Sequence, residues 1–595
     1  MSSTHEVENQ SPPREGVDEY ATNTPLTEAV ARWGGAAAAS ALPEIGRLVG
    51  SAAFQRDAEL ANTRPPVLRT HDRWGNRVDE VEYDESYHRI MAAAIGAGAH
   101  TAAWADPAPG ANVDRAAAFF LFAQVEPGHA CPVSMTHAVV PSLEFAASGL
   151  RDEWMPRLMS REYEPRLGGD TGDRVGPSEA RPVTSGDRVG PSEARPVSRS
   201  SAEGLDTLAS LPTRPPEGAK ASALMGMAMT EKQGGSDVRA NTTRAEPVGG
   251  DDAWGRGFRL TGHKWFCSAP MSDAFLVLAQ APGGLSCFFV PRVRPDGSRN
   301  VFRLQRLKDK LGNRSNASSE VEFDGTSGWL VGDEGRGVAT IVQMVTQTRL
   351  DCVIGTAAGM RQAVAEAAWH VRHRSAFGSL LVDQPAMTAV VADLALESEA
   401  ATITAMRLAR AYDVDADDRE RAFRRLATAV SKYWVCKRGP GHAAEALECL
   451  GGNGYIEDFP LARRYREQPL LAIWEGSGNV IALDVLRVLA REPEAFEAFF
   501  DVVAEAGGAH AGVDLALAEA QAVVREVSTD AAGAALRARE LTERLALVLQ
   551  GALLVQHAPG EVADAFVRTR LEGGAGMLYG ALPPRTDTAA ILARA

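Results

Sequence analysis

The order of local sequence patterns along the chain limits its fold more than any other feature. Residues 26–150 are rich in alanine and space their apolar side chains as helices do. Residues 221–332 carry short runs of β-forming residues, among them FRLTGHKWF, AFLVLAQ and SSEVEF, separated by Gly, Asp and Asn turns. Long helical patterns return over 335–489 and continue over 493–595. We therefore predict an α+β fold in which one compact β domain lies between helical domains.

The same changes of pattern predict where the domains begin and end. The predicted segments are a disordered tail over 1–22, an N-terminal helical domain over 23–165, a disordered insertion over 166–218, a middle β domain over 219–334, a helical bundle over 335–490 and a C-terminal helical domain over 491–595. In the bundle, residues 338–374 are expected to form one very long helix or two.

The predicted insertion contains a repeat. GDRVGPSEARPV occupies residues 172–183 and, letter for letter, residues 186–197. Large apolar side chains are nearly absent from both copies, so the segment cannot repay the entropy that folding would cost. A duplication tolerated in a surface loop and a regulatory or partner-binding loop both stay open as explanations.

Composition and charge exclude several classes of protein. The net charge of −15 has the wrong sign for a chain that coats nucleic acid with its whole surface, although a local basic patch stays open. The six cysteines form no CxxC pair, so neither a disulfide framework nor a zinc site is indicated and no metal is expected. No apolar run reaches membrane-spanning length, and the N-terminus is polar and acidic. A cytoplasmic protein without membrane contact is expected.

The common nucleotide-binding and catalytic motifs are missing. GxGxxG in a strand–helix context, GxxxxGK[ST], HExxH and GxSxG are not found. A nucleotide cofactor would therefore be held without a dinucleotide-binding or P-loop element.

Two segments of the β domain carry residues suited to a flat ligand. MAMTEKQGGSD, residues 227–237, ends in a Gly-Gly-Ser turn whose N–H groups and hydroxyl suit a flat polar ligand or a phosphate, although a simple β-turn explains it equally. GHKWFCSAP, residues 262–270, places a Trp-Phe pair beside small residues. This pair could wall an aromatic cofactor or merely pack in a β core.

Three segments of the bundle are also unusual. LLAIWEGSGNV places Glu475 between an apolar stretch and a Gly-Ser-Gly turn. An apolar approach raises the pKa of a carboxylate, as a base near neutral pH needs, although glutamates at helix starts are common. HRSAFG offers Arg374 as a phosphate partner, and the glycine pair of ECLGGNGY permits close approach of a ligand or caps a helix.

Together these segments resemble the acyl-CoA dehydrogenase superfamily over about residues 25–490, outside the repeat. MTEKQGGSDVRANTTRAE, GHKWFCSAPMSDA, RLKDKLGNRSNASSEVEF and IWEGSGN are similar, more narrowly, to its AidB-type alkylation-response branch, and the similarity extends more weakly into 491–595. The resemblance implies an N-terminal helical domain, a middle β-barrel domain, a helical bundle and an extra C-terminal helical domain.

The resemblance also implies an FAD site between the β domain and the bundle. Ser268 would lie nearest flavin N5, with Thr230 and Ser236 as hydrogen-bonding side chains. Ser477 and Asn479 would reach the cofactor from the opposite side. The residues implied to line the cofactor are Met227, Ala228, Met229, Thr230, Glu231, Lys232, Gln233, Gly234, Gly235, Ser236, Phe266, Cys267, Ser268, Ile473, Trp474, Glu475, Gly476, Ser477, Gly478, Asn479, Val480, Ile481, Ala482 and Leu483.

Arg374, Gly451 and Gly452 are implied to meet the ADP half of an FAD bound by a neighbouring subunit. That arrangement implies a homotetramer built as a dimer of dimers. An electron acceptor is a further implied partner, because a flavin reduced by substrate must be reoxidised.

Glu475 matches the family's usual catalytic base, which would remove an α-proton from an acyl-CoA while a β-hydride passes to flavin N5. Arg349 matches an arginine near the acyl-CoA site. Some positions depart from the family pattern. Thr346 replaces an acid common in the family, and Ala376 and Glu448 replace glutamines, which puts ordinary CoA contacts and ADP contacts in doubt. A flavin oxidase is an alternative on the same fold.

Double-stranded DNA is an alternative partner, because AidB-type relatives are associated with DNA protection. Residues 491–595 hold nine Arg, no Lys and fifteen acids, which makes a poor phosphate-binding surface. Residues 419–438 hold seven cations against one acid. A solvated helix face or a subunit-interface ion network, DNA contact, and contact with cofactor or CoA phosphates all stay open for this basic stretch.

Overall fold

The computed structural model describes residues 4–167, 220–530 and 532–595. Both copies of the repeat, and the predicted insertion apart from residues 166 and 167, lie outside the described residues.

The N-terminal region is mainly helical. Several of its helices begin at residues whose side chains accept a hydrogen bond from the first turn, as Asn23, Ser51 and Asp84 do. Its elements are α1 Thr24–Trp33, α2 Ala38–Gly50, α3 Ala52–Thr63, β1 Val67–His71, β2 Arg77–Glu82, α4 Glu85–Gly96, α5 Ala102–Ala105, α6 Ala111–Val125, α7 Ala130–Ala138, α8 Val140–Leu143 and α9 Ser148–Met159.

The β1–β2 hairpin was not expected from the helical spacing of this region. It is held against the middle domain because Asp79 Oδ1 accepts a hydrogen bond of 3.0 Å from the Leu304 amide, and Arg77 donates to the Leu304 carbonyl at 3.1 Å. The hairpin therefore connects the N-terminal helices to the β domain.

The expectation of a disordered N-terminal tail is wrong for its described residues. Arg14 and Glu19 form a buried ion pair, and the Gln124 amide donates to Glu19 at 2.8 Å. The Gly16 amide donates to the Gly50 carbonyl at 2.7 Å. The segment has few apolar residues, but satisfied polar contacts with the helices hold it in place.

The middle domain is a closed barrel. Strands run in the order β3-β6-β4-β5-β9-β7, and β7 also pairs with β6, so the sheet has no open edge between them; β8 pairs with β9. Apolar residues such as Phe275, Phe288 and Val321 fill its interior. The strands are β3 Met225–Ala228, β4 Arg244–Asp252, β5 Gly255–Ser268, β6 Ala274–Ala281, β7 Gly284–Pro291, β8 Arg303–Leu307 and β9 Ser318–Val331.

The rest of the chain is a helical bundle, which completes the predicted fold class. Residues 337–373 form a single helix, α10. The elements are α10 Gly337–His373, β10 Ser375–Ala376, β11 Ser379–Leu380, α11 Pro385–Arg410, α12 Asp418–Glu448, α13 Gly452–Tyr455, α14 Pro460–Leu471, α15 Gly478–Arg491, α16 Pro493–Ala504, α17 Ala511–Thr529, α18 Ala534–His557, α19 Gly560–Phe566 and α20 Thr588–Leu592. None of the described helices combines the length and apolarity needed to cross a membrane.

A second apolar cluster joins the domains. It contains Trp154 from α9, Phe289 from the barrel and Met344 from α10, with Met227, Met229 and Trp474 packed against its edge. The elements that carry the predicted site meet at this junction.

Candidate functional site

The loop between α14 and α15 holds Glu475 in a strained conformation. Its φ of 57° lies in the left-handed region, which residues other than glycine rarely adopt. The Thr348 hydroxyl donates to Glu475 Oε2 at 2.8 Å. Burial raises the pKa of Glu475, while the Thr348 hydrogen bond and the charges of Arg349 and Lys432 oppose part of the rise. The result is a fixed carboxylate with an increased proton affinity.

Two cations hold the backbone of this loop. Lys432 Nζ of α12 donates to the carbonyls of Trp474 at 2.8 Å and Gly476 at 2.5 Å. Arg349 Nε of α10 donates to the Glu475 carbonyl at 3.0 Å, and its Nη1 donates to Asp484 at 3.0 Å. Arg349 therefore lies behind the carboxylate loop, and its contact with an acyl-CoA stays a prediction.

Strand alternation divides the predicted residues at the end of β5. Phe266 is 48% exposed, whereas Cys267 is fully buried in the barrel interior. Ser268 is half-buried, and its hydroxyl lies 3.1 Å from that of Ser318. Successive side chains of a strand point to opposite faces, so the Cys267 side chain points into the barrel and only its backbone is left to face the flavin ring; that contact stays a prediction.

The segment 227–236 is divided in the same way. Ala228 lies in the barrel interior, and buried Glu231 pairs with Lys264 at 2.8 Å, so these two side chains point away from the surface of the segment. Their contact with the cofactor stays a prediction for the backbone. Met227, Met229 and Thr230 are half-buried, and Lys232, Gln233, Gly234, Gly235 and Ser236 are exposed.

The segment 473–483 contains the start of α15. The side chains of Ile481 and Ala482 pack inside the helical core, and the prediction that the segment covers the cofactor stays a prediction. Gly478 is also buried; Trp474, Gly476 and Val480 are half-buried; Ile473, Ser477, Asn479 and Leu483 are exposed. The Asn479 side-chain oxygen accepts a hydrogen bond of 2.8 Å from Arg539 of α18.

Arg374, Gly451 and Gly452 are predicted to meet the ADP half of a neighbour's FAD. They are distant from Glu475 in sequence and share no hydrogen bond with it among the described residues. The Arg374 guanidinium donates to the Asn9 carbonyl, and the Asn9 side chain makes two hydrogen bonds of 2.8 Å with the backbone of Ser375. Among the described residues, and apart from their chain neighbours and their own helix, no atom lies within 4 Å of where side chains at Gly451 and Gly452 would begin. Their contact with a neighbouring subunit stays a prediction.

The comparisons with known proteins agree with this arrangement. Residues 9–165 match the adaptive response protein AidB N-terminal domain, 226–326 the acyl-CoA dehydrogenase middle domain and 335–490 the acyl-CoA dehydrogenase C-terminal domain. AidB of Escherichia coli (strain K12) is 40% identical over 575 residues, which cover 96% of both chains. The chain belongs to the AidB branch of the acyl-CoA dehydrogenase family.

Other relatives support this assignment. Acyl-CoA dehydrogenase family member 11 of Caenorhabditis elegans is 28% identical over 539 residues, which cover 84% of this chain and 77% of that protein. The crystal structure of C. elegans ACDH-11 in complex with C11-CoA has a TM-score of 0.81 at 24% identity, covering 96% of this chain and 94% of that one, and shows the same fold.

FAD is the cofactor of the acyl-CoA dehydrogenase family. The residues at the domain junction of this chain are suited to bind it. Phe266 presents a partly exposed aromatic face beside the hydroxyls of Ser268 and Ser318. The indole Nε1 of Trp474 and the side-chain amide of Asn316 are buried without a hydrogen-bond partner among the described residues. Buried polar atoms are rarely left unpaired, so these atoms are consistent with a polar ligand at this junction.

Cys131 of α7 is buried near the predicted site. It belongs to the apolar cluster at the domain junction, against which Trp474 packs. Burial raises the pKa of its thiol to about 12, the charge of Glu475 adds to the rise, and Ser268 opposes part of it. That Ser268 and Glu475 share one site stays a prediction.

The basic stretch 419–438 is largely paired within the chain. Arg419 binds Glu505, Arg421 binds Asp418, Arg425 binds Glu492 and Arg438 binds Glu397, while Arg424 lies over the Tyr412 ring. Lys432 is buried rather than part of a solvated face. Most of these cations already have a partner within the chain, which reduces the net positive charge that the stretch offers to phosphates.

The sequence reasoning missed Thr348 and the role of Lys432. The apolar neighbours of Lys432 in TAVSKYWVC could have indicated a buried lysine. Thr348 had no signal of its own, because its contact with Glu475 joins residues 127 positions apart.

Proposed function

We propose that this flavoprotein oxidises the acyl group of an acyl-CoA thioester, with Glu475 as the catalytic base. The observation that carries the proposal is the fixed Glu475 carboxylate with its raised pKa. A base of increased proton affinity can accept the weakly acidic α-proton of a thioester near neutral pH.

The chain's own residues would act as follows. Thr348 holds Glu475 Oε2, and Oε1 has no hydrogen-bond partner among the described residues, so it can take the proton. Phe266, Ser268 and the exposed turn 234–236 would hold the cofactor on the barrel side. When bound, FAD supplies the acceptor for the hydride that leaves the β-carbon. Positioning and electrostatics are the contribution of the protein.

An open cavity of about 610 Å³ suits the polar tail of CoA. It is lined by Arg239 and Gln280 from the β domain and by Arg336 and Val342 at the start of α10. Val342 precedes Thr348 by six residues, about 9 Å along a helix. The exposed arginines Arg239 and Arg336 supply charge for CoA phosphates at a distance that a pantetheine chain can span.

The test is reduction of the bound flavin by a panel of acyl-CoA thioesters under anaerobic conditions. Glu475→Gln should retain FAD, because the amide preserves the shape of the carboxylate. Its flavin should be reduced at least about 10²-fold more slowly than in the wild-type protein. The wild-type rate should rise with pH through the pKa of Glu475, since the base acts in its ionised form.

Glu497→Gln is the matched control, because Glu497 is exposed on α16. The flavin of this variant should be reduced at the wild-type rate. A Glu475→Gln protein that is reduced as fast as wild type excludes the base assignment. Rapid reoxidation of the reduced flavin by O₂ would indicate an oxidase, whereas slow reoxidation would indicate a protein electron acceptor.

We also propose a homotetramer, supported by the open position of Gly451 and Gly452 and by the family's use of neighbouring subunits for the ADP half of FAD. Binding of double-stranded DNA, with weak or vestigial dehydrogenase activity, is the alternative function. Membership of the AidB branch favours it. The net charge of residues 491–595 and the internal pairing of the basic stretch 419–438 count against it.

A further inference from the structure

A lysine lies buried beneath the loop that carries Glu475. Lys432 is 1% exposed in the middle of α12. Its hydrogen-bond partners among the described residues are two backbone carbonyls, those of Trp474 and Gly476. A buried ammonium is unfavourable unless dipoles or an opposite charge compensate it. Lys432 is therefore bound tightly to the two peptide groups that flank Glu475.

This contact fixes an unfavourable backbone conformation. Glu475 and Gly476 both have positive φ, of 57° and 108°. A residue such as glutamate holds that conformation only when its surroundings enforce it. Arg349 donates to the Glu475 carbonyl, so cations bind three successive carbonyls of the loop. The Glu475 carboxylate itself accepts a hydrogen bond from the Thr348 hydroxyl.

The charged and titratable groups around Glu475 come from several elements. Arg349 and Cys352 face it from α10, Lys432 from α12 and Cys131 from α7, while Asp484 of α15 lies behind Arg349. Lys432 is one of the two cations that favour the carboxylate form. The other, Arg349, is paired with Asp484, so part of its charge is neutralised.

We propose that Lys432 is a positioning residue of this site: its ammonium binds the carbonyls of Trp474 and Gly476 and so holds the Glu475 carboxylate in its reactive conformation. This inference rests on the proposed function of Glu475 as the base. It assigns Lys432 to the oxidation of acyl-CoA without contact between Lys432 and the substrate.

The first test uses Lys432→Met in the FAD-loaded protein. We expect flavin reduction by acyl-CoA to slow by about 10-fold or more. The pH midpoint of that rate should move up by about one unit, because one of two nearby cations is lost. The affinity for acyl-CoA, measured from the change in flavin absorbance at low temperature, should stay within about three-fold, since Lys432 lies behind the base.

Two further substitutions separate the charge from the hydrogen bonds. Lys432→Arg keeps the charge and should recover part of the rate. Lys432→Gln keeps an NH2 group that can donate hydrogen bonds but carries no charge, and should show the same upward pH shift as the methionine variant. Arg421→Met is the control, because it removes an exposed cation from the same helix. A wild-type rate and pH midpoint in Lys432→Met, or in Lys432→Gln if the methionine variant does not fold, overturns the proposal.

A stability cycle tests Lys432 independently of activity. A carboxylate whose pKa is raised in the folded state destabilises the protein above its unfolded pKa, so Glu475→Gln should raise the melting temperature at pH 7. The rise should be larger in the Lys432→Met or Lys432→Gln background. Equal rises overturn the proposed coupling. If no acyl-CoA reduces the wild-type flavin, the proposed function fails, and this cycle still decides whether Lys432 acts on Glu475.

Discussion

At the residue scale, the cysteines give a direct test of how the interior is packed. All six are free and buried. Burial raises the pKa of the thiols of Cys131, Cys267 and Cys287 to about 12. A thiol with such a pKa holds almost no thiolate at neutral pH, and the thiolate is the reactive form. We therefore expect no rapid reaction of the native protein with a disulfide reagent at pH 8.

The control for this titration is the unfolded chain, in which all six thiols should react. A single fast thiol in the native protein would contradict the burial described for the junction of the domains. Protection of that thiol by acyl-CoA would identify it as Cys131 or Cys352, the two cysteines near Glu475.

Much of the site was predictable from residue types, but side-chain direction was not. The resemblance implies Glu475, Phe266 and Ser268 as site residues, and the structure places Trp474, the neighbour of Glu475, against the apolar cluster of the domain junction. The direction of the Cys267 side chain could not be predicted, because a contiguous motif gives both faces of a strand equal weight, although one face fills the barrel. The partners of Lys432 could not be predicted from the sequence, because they are carbonyls 42 and 44 positions away.

At the scale of elements, Glu397 joins α11 to two other parts of the chain. Its carboxylate pairs with Arg438 of α12 at 2.9 Å and with Arg570, beyond α19, at 3.2 Å. Burial alone would raise the pKa of Glu397, but the two arginines outweigh it and lower the pKa to about 2. This ion pair attaches the last helices to the bundle.

Glu397→Gln should destabilise the protein by roughly 2 kcal/mol at pH 7, because two partly buried guanidinium groups lose their shared charge and only Arg570 keeps a second carboxylate partner, Asp393. A carboxylate with a depressed folded pKa stabilises the protein above its unfolded pKa of about 4.3. The difference from wild type should therefore shrink as the pH falls from about 4 towards 2. Melting temperatures over that pH range measure it, with Glu497→Gln as the surface control. A constant difference at every pH would show that lost packing, not charge, is responsible.

The elements themselves were more predictable than their contacts. The 37 residues of α10 carry a sustained helical pattern, and the barrel strands follow the β-forming runs between turns. The β1–β2 hairpin was missed because it is short and lies among alanine-rich helices. The N-terminal tail was misjudged because its ordered contacts are polar and join it to residues over 100 positions away.

At the scale of the whole molecule, the bundle and the last hundred residues share one core. Phe423 of α12 stacks on Phe499 of α16 with ring centroids 6.2 Å apart. Leu541 and Leu545 of α18 are fully buried in the cluster that includes Leu350 of α10. A boundary drawn at residue 490 from the sequence does not correspond to a break in this core.

Truncation after Arg491 should therefore fail to give a folded protein. It removes the apolar side chains of α16 and α18 that cover α12, and it leaves a continuous apolar face exposed to water. The soluble yield and the FAD content per chain measure the effect. Both should fall by at least about ten-fold, because one side of the apolar core is no longer covered. A soluble, FAD-bound product of the truncation would show that the C-terminal region is an independent domain.

Removal of residues 170–215 is the matched control for that truncation, because it deletes a long segment at a different position in the chain. Both flanks of the segment are fixed by their own contacts: Leu167 is buried, and Lys220 forms a buried ion pair of 2.8 Å with Asp273. Closing a loop between fixed ends changes the chain entropy only slowly with its length. The FAD content, the melting temperature and the assembly size should therefore match those of the full chain. Loss of soluble protein on this deletion would show that the repeat contributes packing of its own, and the truncation result would then no longer be specific to the shared core.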